Sequence, residues 1–408
     1  MTGARFDVVV IGAGPSGAIA SALLKRDGWN VLVVEAQRFP RFAVGESLLA
    51  HCLDFVQEAG MLDALERHGF QYKDGAAFVR GDQHADISFA DQFSGGFDHA
   101  FQVDRASFDK LLADQAALQG VEIRYETRVI AFDNSEAHPR IQIRDAAGHE
   151  EWIEARFVLD ASGFGRVLPK LLDLETPADF PVRTALVTHV EDNAGPDVFD
   201  RRKVHIIVHP EHSDVWYWII PFPNNRSSIG CVAPPQFMAR YTQAPLARLQ
   251  ALLAEDAFMS RALANAKWDT VVRENSGYSA SVRKMYGKGF ALLGNAAEFL
   301  DPVFSSGVTI AMRSSSMAAQ LLNRQLRGEE IDWEREFEAP MRKGVAVFRV
   351  YVDAWYDGRF QRVMFAKNKT PSIRQMINSI LAGYAWDESN PFVAEAERRF
   401  DLVAQVCR

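Results

Sequence analysis

Cysteine is scarce in this chain of 408 residues: Cys52, Cys231 and Cys407 are its only three, far apart and odd in number. They offer neither metal-ligand spacing nor a disulfide framework, and free, mostly buried thiols in a reducing compartment are expected. Long apolar runs are also missing, and no stretch reaches the ~18 residues of a membrane span. Positive charge is outweighed, with 45 Lys and Arg against 53 Asp and Glu. No basic cluster offsets that balance, so a nucleic-acid surface is excluded. His205, His209 and His212 lie near one another, but no cysteine or acid completes a ligand set and Pro210 interrupts them; no metal site is expected. Repeats, low-complexity linkers, a nucleophile elbow, a P-loop and a zincin motif are all lacking. The N-terminus runs directly into a strand, leaving no room for a signal peptide. Together these absences predict a cytoplasmic protein with no membrane or nucleic-acid partner.

What is present starts at Phe6. Phe6-Asp7-Val8-Val9-Val10-Ile11 reads as a buried parallel strand. Gly12-Ala13-Gly14-Pro15-Ser16-Gly17 follows as a tight turn, and Ala18, Ile19, Ala20, Leu23 and Leu24 then recur at helical spacing. A second strand, Val31 to Val34, ends in Glu35. Gly12 permits the sharp turn, Gly14 lets the backbone approach a pyrophosphate, and Gly17 lets helix and strand pack closely. The helix N-terminus offers unpaired N–H groups to that pyrophosphate, and Glu35 stands where a carboxylate accepts ribose hydroxyls. A glycine turn alone is weak; with strand, helix, second strand and acid in register, it predicts dinucleotide binding.

The loop from Arg38 to Ser47 carries charge among aromatics, and is long enough either to connect at the surface or to lie across a cofactor. Leu48 to Ala64 has helical periodicity ended by Gly60, residues 70–102 alternate like strands, and a helix runs from about Gln102 to Gln119. Arg105 in its first turn opposes the helix dipole unless an anion is close. Residues 120–160 read as three short strands, the last entering the small-residue turn Asp160-Ala161-Ser162-Gly163. Residues 180–235 are strand-rich and predict an antiparallel sheet. A buried strand from Gly289 enters Gly294-Asn295, and Asp301-Pro302-Val303-Phe304-Ser305-Ser306-Gly307 precedes a helix over about Val308 to Leu326. Everything after Asp332 reads as helix. Eight Trp and 28 Phe suit a large aromatic cavity for flat ligands.

Trp216-Tyr217-Trp218-Ile219-Ile220-Pro221 puts two indoles and Ile220 on one face of a strand, a wall that core packing alone would also explain. Together with the Gly12, Gly14, Gly17 and Glu35 fingerprint, the Asp160–Gly163 turn and the Asp301–Gly307 segment, that motif resembles the flavin-dependent halogenases, within the flavoprotein monooxygenases. The resemblance spans most of residues 6–320. It implies an α/β architecture: a Rossmann-like FAD-binding fold of the glutathione-reductase and p-hydroxybenzoate-hydroxylase type, an inserted antiparallel-sheet substrate domain and a helical C-terminal region. The expected division is 1–75, 100–170 and 275–330 for a discontinuous FAD-binding domain, 76–99 and 171–274 for the substrate domain, and 331–408 for the helices.

The family's chemistry then implies roles. FAD, arriving reduced as FADH2, would rest on Gly12, Gly14, Gly17, Glu35, Arg105, Asp160, Gly163, Asn295 and Asp301. Chloride or bromide would sit at Ser306 and Gly307, Trp216 and Trp218 would separate flavin from substrate, and a buried Lys73 would receive hypohalous acid. Burial lowers a lysine pKa toward the neutral amine; the competing reading of Lys73 is a solvated strand-edge residue paired with Asp74. Asn295 stands where many flavin monooxygenases have Asp, a small change because both groups accept hydrogen bonds. Tryptophan halogenases carry Glu where this chain has Phe304, which disfavours free tryptophan and leaves phenols, pyrroles or aryl acids, free or on a carrier protein, as in secondary metabolism. No second glycine fingerprint occurs, so a separate flavin reductase is implied. Alternatives are a hydroxylase or reductase of the same fold, and a flavoprotein without turnover that serves as a binding partner or redox sensor.

Overall fold

The computed structural model describes residues 5–366 and 370–407. Two sheets organise it. The first has eight strands, with Phe290–Leu292, Glu150–Asp160, Arg5–Ile11, Val31–Val34 and Glu122–Arg124 running parallel in that order. Tyr286–Gly287 adds an antiparallel edge, and Arg128–Asp133 and Arg140–Arg144 extend from the long Glu150–Asp160 strand. The central strands are apolar and buried, as a parallel sheet covered on both faces requires. The chain thus forms four strands between residues 120 and 160 where the pattern predicted three. The short Glu122–Arg124 strand is only partly buried, so its periodicity is weak.

The second sheet has seven strands, ordered Arg273–Ser276, Thr184–Glu191, Arg226–Ala233, Trp216–Phe222, Lys203–Val208, Gly75–Arg80, Gln83–Ser88. All pairings are antiparallel but one: Lys203–Val208 runs parallel to Gly75–Arg80. Those two strands are separated by well over a hundred residues, so no hairpin dictates their direction. The sheet has an apolar layer on each face. Tyr217 and Ile219 enter a small core roofed by the helices Pro245–Leu253 and Ala257–Ala262, while Trp216, Trp218 and Ile220 face the main core.

Two helices meet over the first sheet. Pro15–Arg26 follows the glycine turn, and Ser306–Leu326 begins two residues earlier than its apolar pattern suggested. Small residues let them touch: Ser16 Oγ lies 2.7 Å from Ser315 Oγ, and the Ser315 hydroxyl also donates to the Ser16 carbonyl. Farther along, Leu48–Ala50 is not helical; the helix there is His51–Glu58. The C-terminal helices Ala339–Tyr356, Arg359–Phe365, Pro371–Leu381, Pro391–Ala394 and Ala396–Val406 close the main core through Phe304, Tyr351, Trp355, Phe360 and Phe400. No helix among the described residues is long and apolar enough to cross a membrane. Cys52 and Cys231 are buried free thiols, and Cys407 is half-buried.

The turn glycines are sterically required. A Cβ on Gly17 would lie 1.8 Å from the Gly12 carbonyl oxygen, and one on Gly12, whose φ is +99°, would lie 2.6 Å from the Ala161 oxygen. Gly17→Ala is therefore expected to lower stability by on the order of 3 kcal/mol, read as a lower urea midpoint at unchanged slope.

Candidate flavin and lysine sites

At the fingerprint turn the backbone is open where a ligand would approach. A Cβ on Gly14 would make only ordinary contacts, 3.4 Å from Arg41 Nη2 and 3.8 Å from Asp109 Oδ2. Neither Pro15–Arg26 nor Ser306–Leu326 has a side-chain cap at its start, so both present free N–H groups. Gly163 adopts φ +59° with nothing within 4 Å of a hypothetical Cβ. Asn295 Oδ1 is buried with no hydrogen-bond partner among the described residues, and a Cβ on Gly307 would lie 3.9 Å from it. An orphaned acceptor beside an uncapped helix start fits a polar, anionic, flat ligand such as FAD.

Other expected ligand residues are partly engaged within the protein. Glu35 is buried, its Oε2 accepting from the Ala13 N–H at 2.9 Å and its Oε1 from the Gln37 N–H at 2.9 Å. Each oxygen keeps a lone pair for a ribose hydroxyl. Asp160 spends Oδ1 on the Ser162 N–H and Oδ2 on the Leu168 N–H, and burial raises its pKa, so it braces the turn before Gly163. Arg105 does not stand as a free cation at its helix start. It forks onto Asp109, at 2.7 and 3.1 Å, and donates to the Val44 and Gly45 carbonyls. Arg41 reaches the same Asp109 at 3.1 Å. Arg41 is the cation adjoining Gly14, a residue that the charged Arg38–Ser47 loop carried without singling it out.

Lys73 ends the short strand Gln71–Lys73 and is 1% exposed. Its Nζ donates to the Leu48 carbonyl at 2.6 Å and sits 5.0 Å from the centre of the Phe89 ring. No carboxylate pairs with it among the described residues; Asp74 instead binds Lys203 and Arg202. Desolvation brings the Lys73 pKa down to about 7. Cys52, fully buried beside it, touches Thr309 in the first turn of the Ser306–Leu326 helix, Sγ to Oγ1 at 3.1 Å. Cys52, which also acts electrostatically on Lys73, thus links the lysine's surroundings to the first turn of that helix. Ser47 Oγ, next to Leu48, is buried and unpartnered among the described residues.

Trp216 and Trp218 share a face, ring centroids 5.8 Å apart. Trp216 donates to the Tyr356 hydroxyl at 3.2 Å and Trp218 to Ser228 Oγ at 3.2 Å. Gly230 makes room beneath Trp218, since a Cβ there would lie 2.0 Å from its Cη2. Ser305 is left-handed, with φ +57°, and Ser306 is buried. Asp301 does not point freely toward a cofactor. Oδ1 accepts from the Val303 N–H at 3.0 Å and Oδ2 from the Tyr356 hydroxyl at 2.8 Å; burial holds its pKa up at about 6. Phe304 packs against Phe360, centroids 4.7 Å apart.

The closely spaced histidines find partners within the protein. His209 binds Glu255 at 2.6 Å and His205 the Asp200 carbonyl at 2.9 Å. A different trio, Glu46, Asp104 and His189, brings ligand atoms within 4.8 Å of one another. Internal bonds account for that closeness: Glu46 holds His189 at 2.6 Å, and Asp104 caps the Ala106 and Ser107 N–H groups. Burial opposes the His189 imidazolium, but the Glu46 and Asp104 carboxylates outweigh it and raise its pKa.

The fold and the glycine turn define a flavoprotein: residues 5–334 match the pattern of the FAD binding domain family, and the chain belongs to it. Its relatives include flavin-dependent halogenases. It is 27% identical to the 1H-pyrrole-2-carbonyl-[peptidyl-carrier protein] chlorinase of Pseudomonas fluorescens, over 93% of this chain and 89% of that protein. The tryptophan 2-halogenase of Chondromyces crocatus is 29% identical over 79% of this chain, and the match spans 62% of that longer protein. A solved flavoprotein/dehydrogenase from Cytophaga hutchinsonii superposes with a TM-score of 0.96 at 44% identity, covering 99% of this chain and 98% of that one.

If the Lys73 amine is as desolvated as its surroundings dictate, NMR of lysine-labelled protein will show one Nζ signal titrating near pH 7, absent from Lys73→Met. A midpoint above pH 9, close to an ordinary lysine, would contradict the burial.

Proposed function

We propose that this chain halogenates an electron-rich aromatic ring using reduced FAD, O2 and chloride or bromide. The observation that carries the reading is the Lys73 amine: buried, without a carboxylate partner among the described residues, and with its pKa brought down to about 7. Desolvating an amine costs more than one hydrogen bond to the Leu48 carbonyl and a ring face return, so the position makes sense as chemistry. Bound reduced FAD would supply, with O2, the oxidation of halide to hypohalous acid. The chain's own groups do the rest. Arg41 and the N–H groups after Gly14 hold the pyrophosphate, Glu35 the ribose, and Gly163 and Asn295 the remainder of the cofactor, while Arg105 braces Asp109 beside Arg41.

Ser306 and Gly307 offer halide the uncapped helix start, and the Trp216–Trp218 wall keeps the organic acceptor away from the oxidant's source. Lys73 takes the hypohalous acid, as a hydrogen-bond partner or by forming an N–X bond with release of water. The ring then gains X and loses a proton. A separate reductase would provide the FADH2. Phe304, pinned among aromatic side chains, lacks the carboxylate that an indole N–H would seek, which favours a phenol, pyrrole or aryl acid. The acyl-pyrrole relative makes a carrier-tethered substrate the form to test first. A reductase or hydroxylase of the same fold is the second reading, favoured by the name of the Cytophaga protein. Halide-independent product, or product heavier by one oxygen atom, would select it.

Lys73→Ala is expected to cut halogenated product on the order of a hundredfold or more with FAD affinity unchanged; unaltered product would sink the role given to this residue. In the wild type, product formation should rise as pH passes upward through about 7, because the amine gains its lone pair there. Arg41→Ala should weaken FAD binding roughly tenfold, measured by flavin fluorescence quenching.

A further inference from the structure

One chain of hydrogen bonds joins the indole wall to the turn at Ser306. Trp216 Nε1 can only donate, and it donates to Tyr356 Oη at 3.2 Å. Tyr356 has a single proton, which goes to Asp301 Oδ2 at 2.8 Å. Asp301 Oδ1 accepts from the Val303 N–H at 3.0 Å and so caps the short turn Pro302–Phe304, which delivers Ser305, Ser306 and Gly307. Direction is fixed at every link, since indole, phenol and carboxylate can be ordered in only one way here. The Arg183 guanidinium lies 4.4 Å from the Tyr356 ring centre, holding that ring from its face. Trp218 is outside this relay, because its N–H goes to Ser228 on the adjoining strand.

We propose that Tyr356 and Asp301 are positioning residues, which tie the Trp216 indole to the Ser306–Gly307 turn so that barrier and halide site move as one unit. The three groups come from three separate parts of the chain: the second sheet, the loop before the Ser306–Leu326 helix, and the end of the Ala339–Tyr356 helix. Packing holds the buried Trp216 against Trp218 and Trp355, centroids 5.8 and 6.4 Å away, and the indole N–H adds a directional tie to Tyr356. Without that tie the Ser306–Gly307 turn would lose its hold on halide, and the O2 consumed would leave as hydrogen peroxide instead of oxidising halide to hypohalous acid. The proposal rests on the halogenase reading for its purpose, though not for its geometry.

The test uses holoprotein with chemically reduced FAD, bromide, O2 and resorcinol as an electron-rich probe. Tyr356→Phe removes one hydroxyl and keeps the ring. It should bind FAD like wild type, lose the Trp216 contribution to the near-ultraviolet circular dichroism (defined by difference against Trp216→Phe), and release several-fold more hydrogen peroxide per O2 consumed. The double variant should be no worse than Trp216→Phe alone. A retained Trp216 signal, or losses that add in the double variant, would overturn the relay. Wild-type protein that makes no bromoresorcinol counts against the halogenase reading alone, because the dichroism judges the relay without it.

Discussion

Close approach between two helices governs this molecule. Pro15–Arg26 and Ser306–Leu326 meet through Ser16 and Ser315 at 2.7 Å, a separation that larger side chains would forbid. That contact fixes the uncapped start of the first helix, with its N–H groups beside Gly14, against the middle of the helix whose own uncapped start carries Ser306 and Gly307. Gly294 belongs to the same constraint, since a Cβ there would lie 2.8 Å from Ala311 Cβ. The Gly294 N–H also donates to Ser314 Oγ, fixing the loop that carries Asn295. Small residues, nearly three hundred positions apart, thus decide where a nucleotide and an anion would lie relative to each other.

Around that frame the protein spends stability on polarity. Lys73 is desolvated, held by the Leu48 carbonyl and the Phe89 face, and Asp301 keeps a carboxylate in a place where burial resists its charge. Each is tolerated because neighbours over-determine it: a strand register in the first case, a turn amide and a tyrosine hydroxyl in the second. Such groups concentrate where chemistry is done. The contrast with Arg226 and Asp269 is instructive, a two-pronged pair at the surface whose loss would cost little.

Much of the architecture was legible in advance because its signals are local. The strand–turn–helix at Phe6 to Leu24 is encoded by glycines that sterics require, and the Trp216–Ile220 alternation by the period of a strand. The resemblance to the halogenases supplied Lys73 as a candidate, and only burial separated it from a surface ion pair with Asp74. Less visible were the roles of Arg41, Asp109 and Tyr356. The loop that holds Arg41 reads as able to lie across a cofactor and the aromatic stretch that holds Tyr356 as able to cover a pocket, but which side chain matters depends on a partner far along the chain for Arg41 and Tyr356.

By itself the sequence determined the dinucleotide fold, the two-faced tryptophan strand and the helical C-terminus, because backbone sterics and hydrophobic period act over a few residues. Tertiary structure alone decided which charges are free. It committed Arg105 to Asp109, Asp160 to two amides and Asp301 to Tyr356, while it left Lys73 without an acid among the described residues. The physical reason is that desolvation and pairing depend on what packs against a group from every side, and those neighbours are assembled only when distant segments meet.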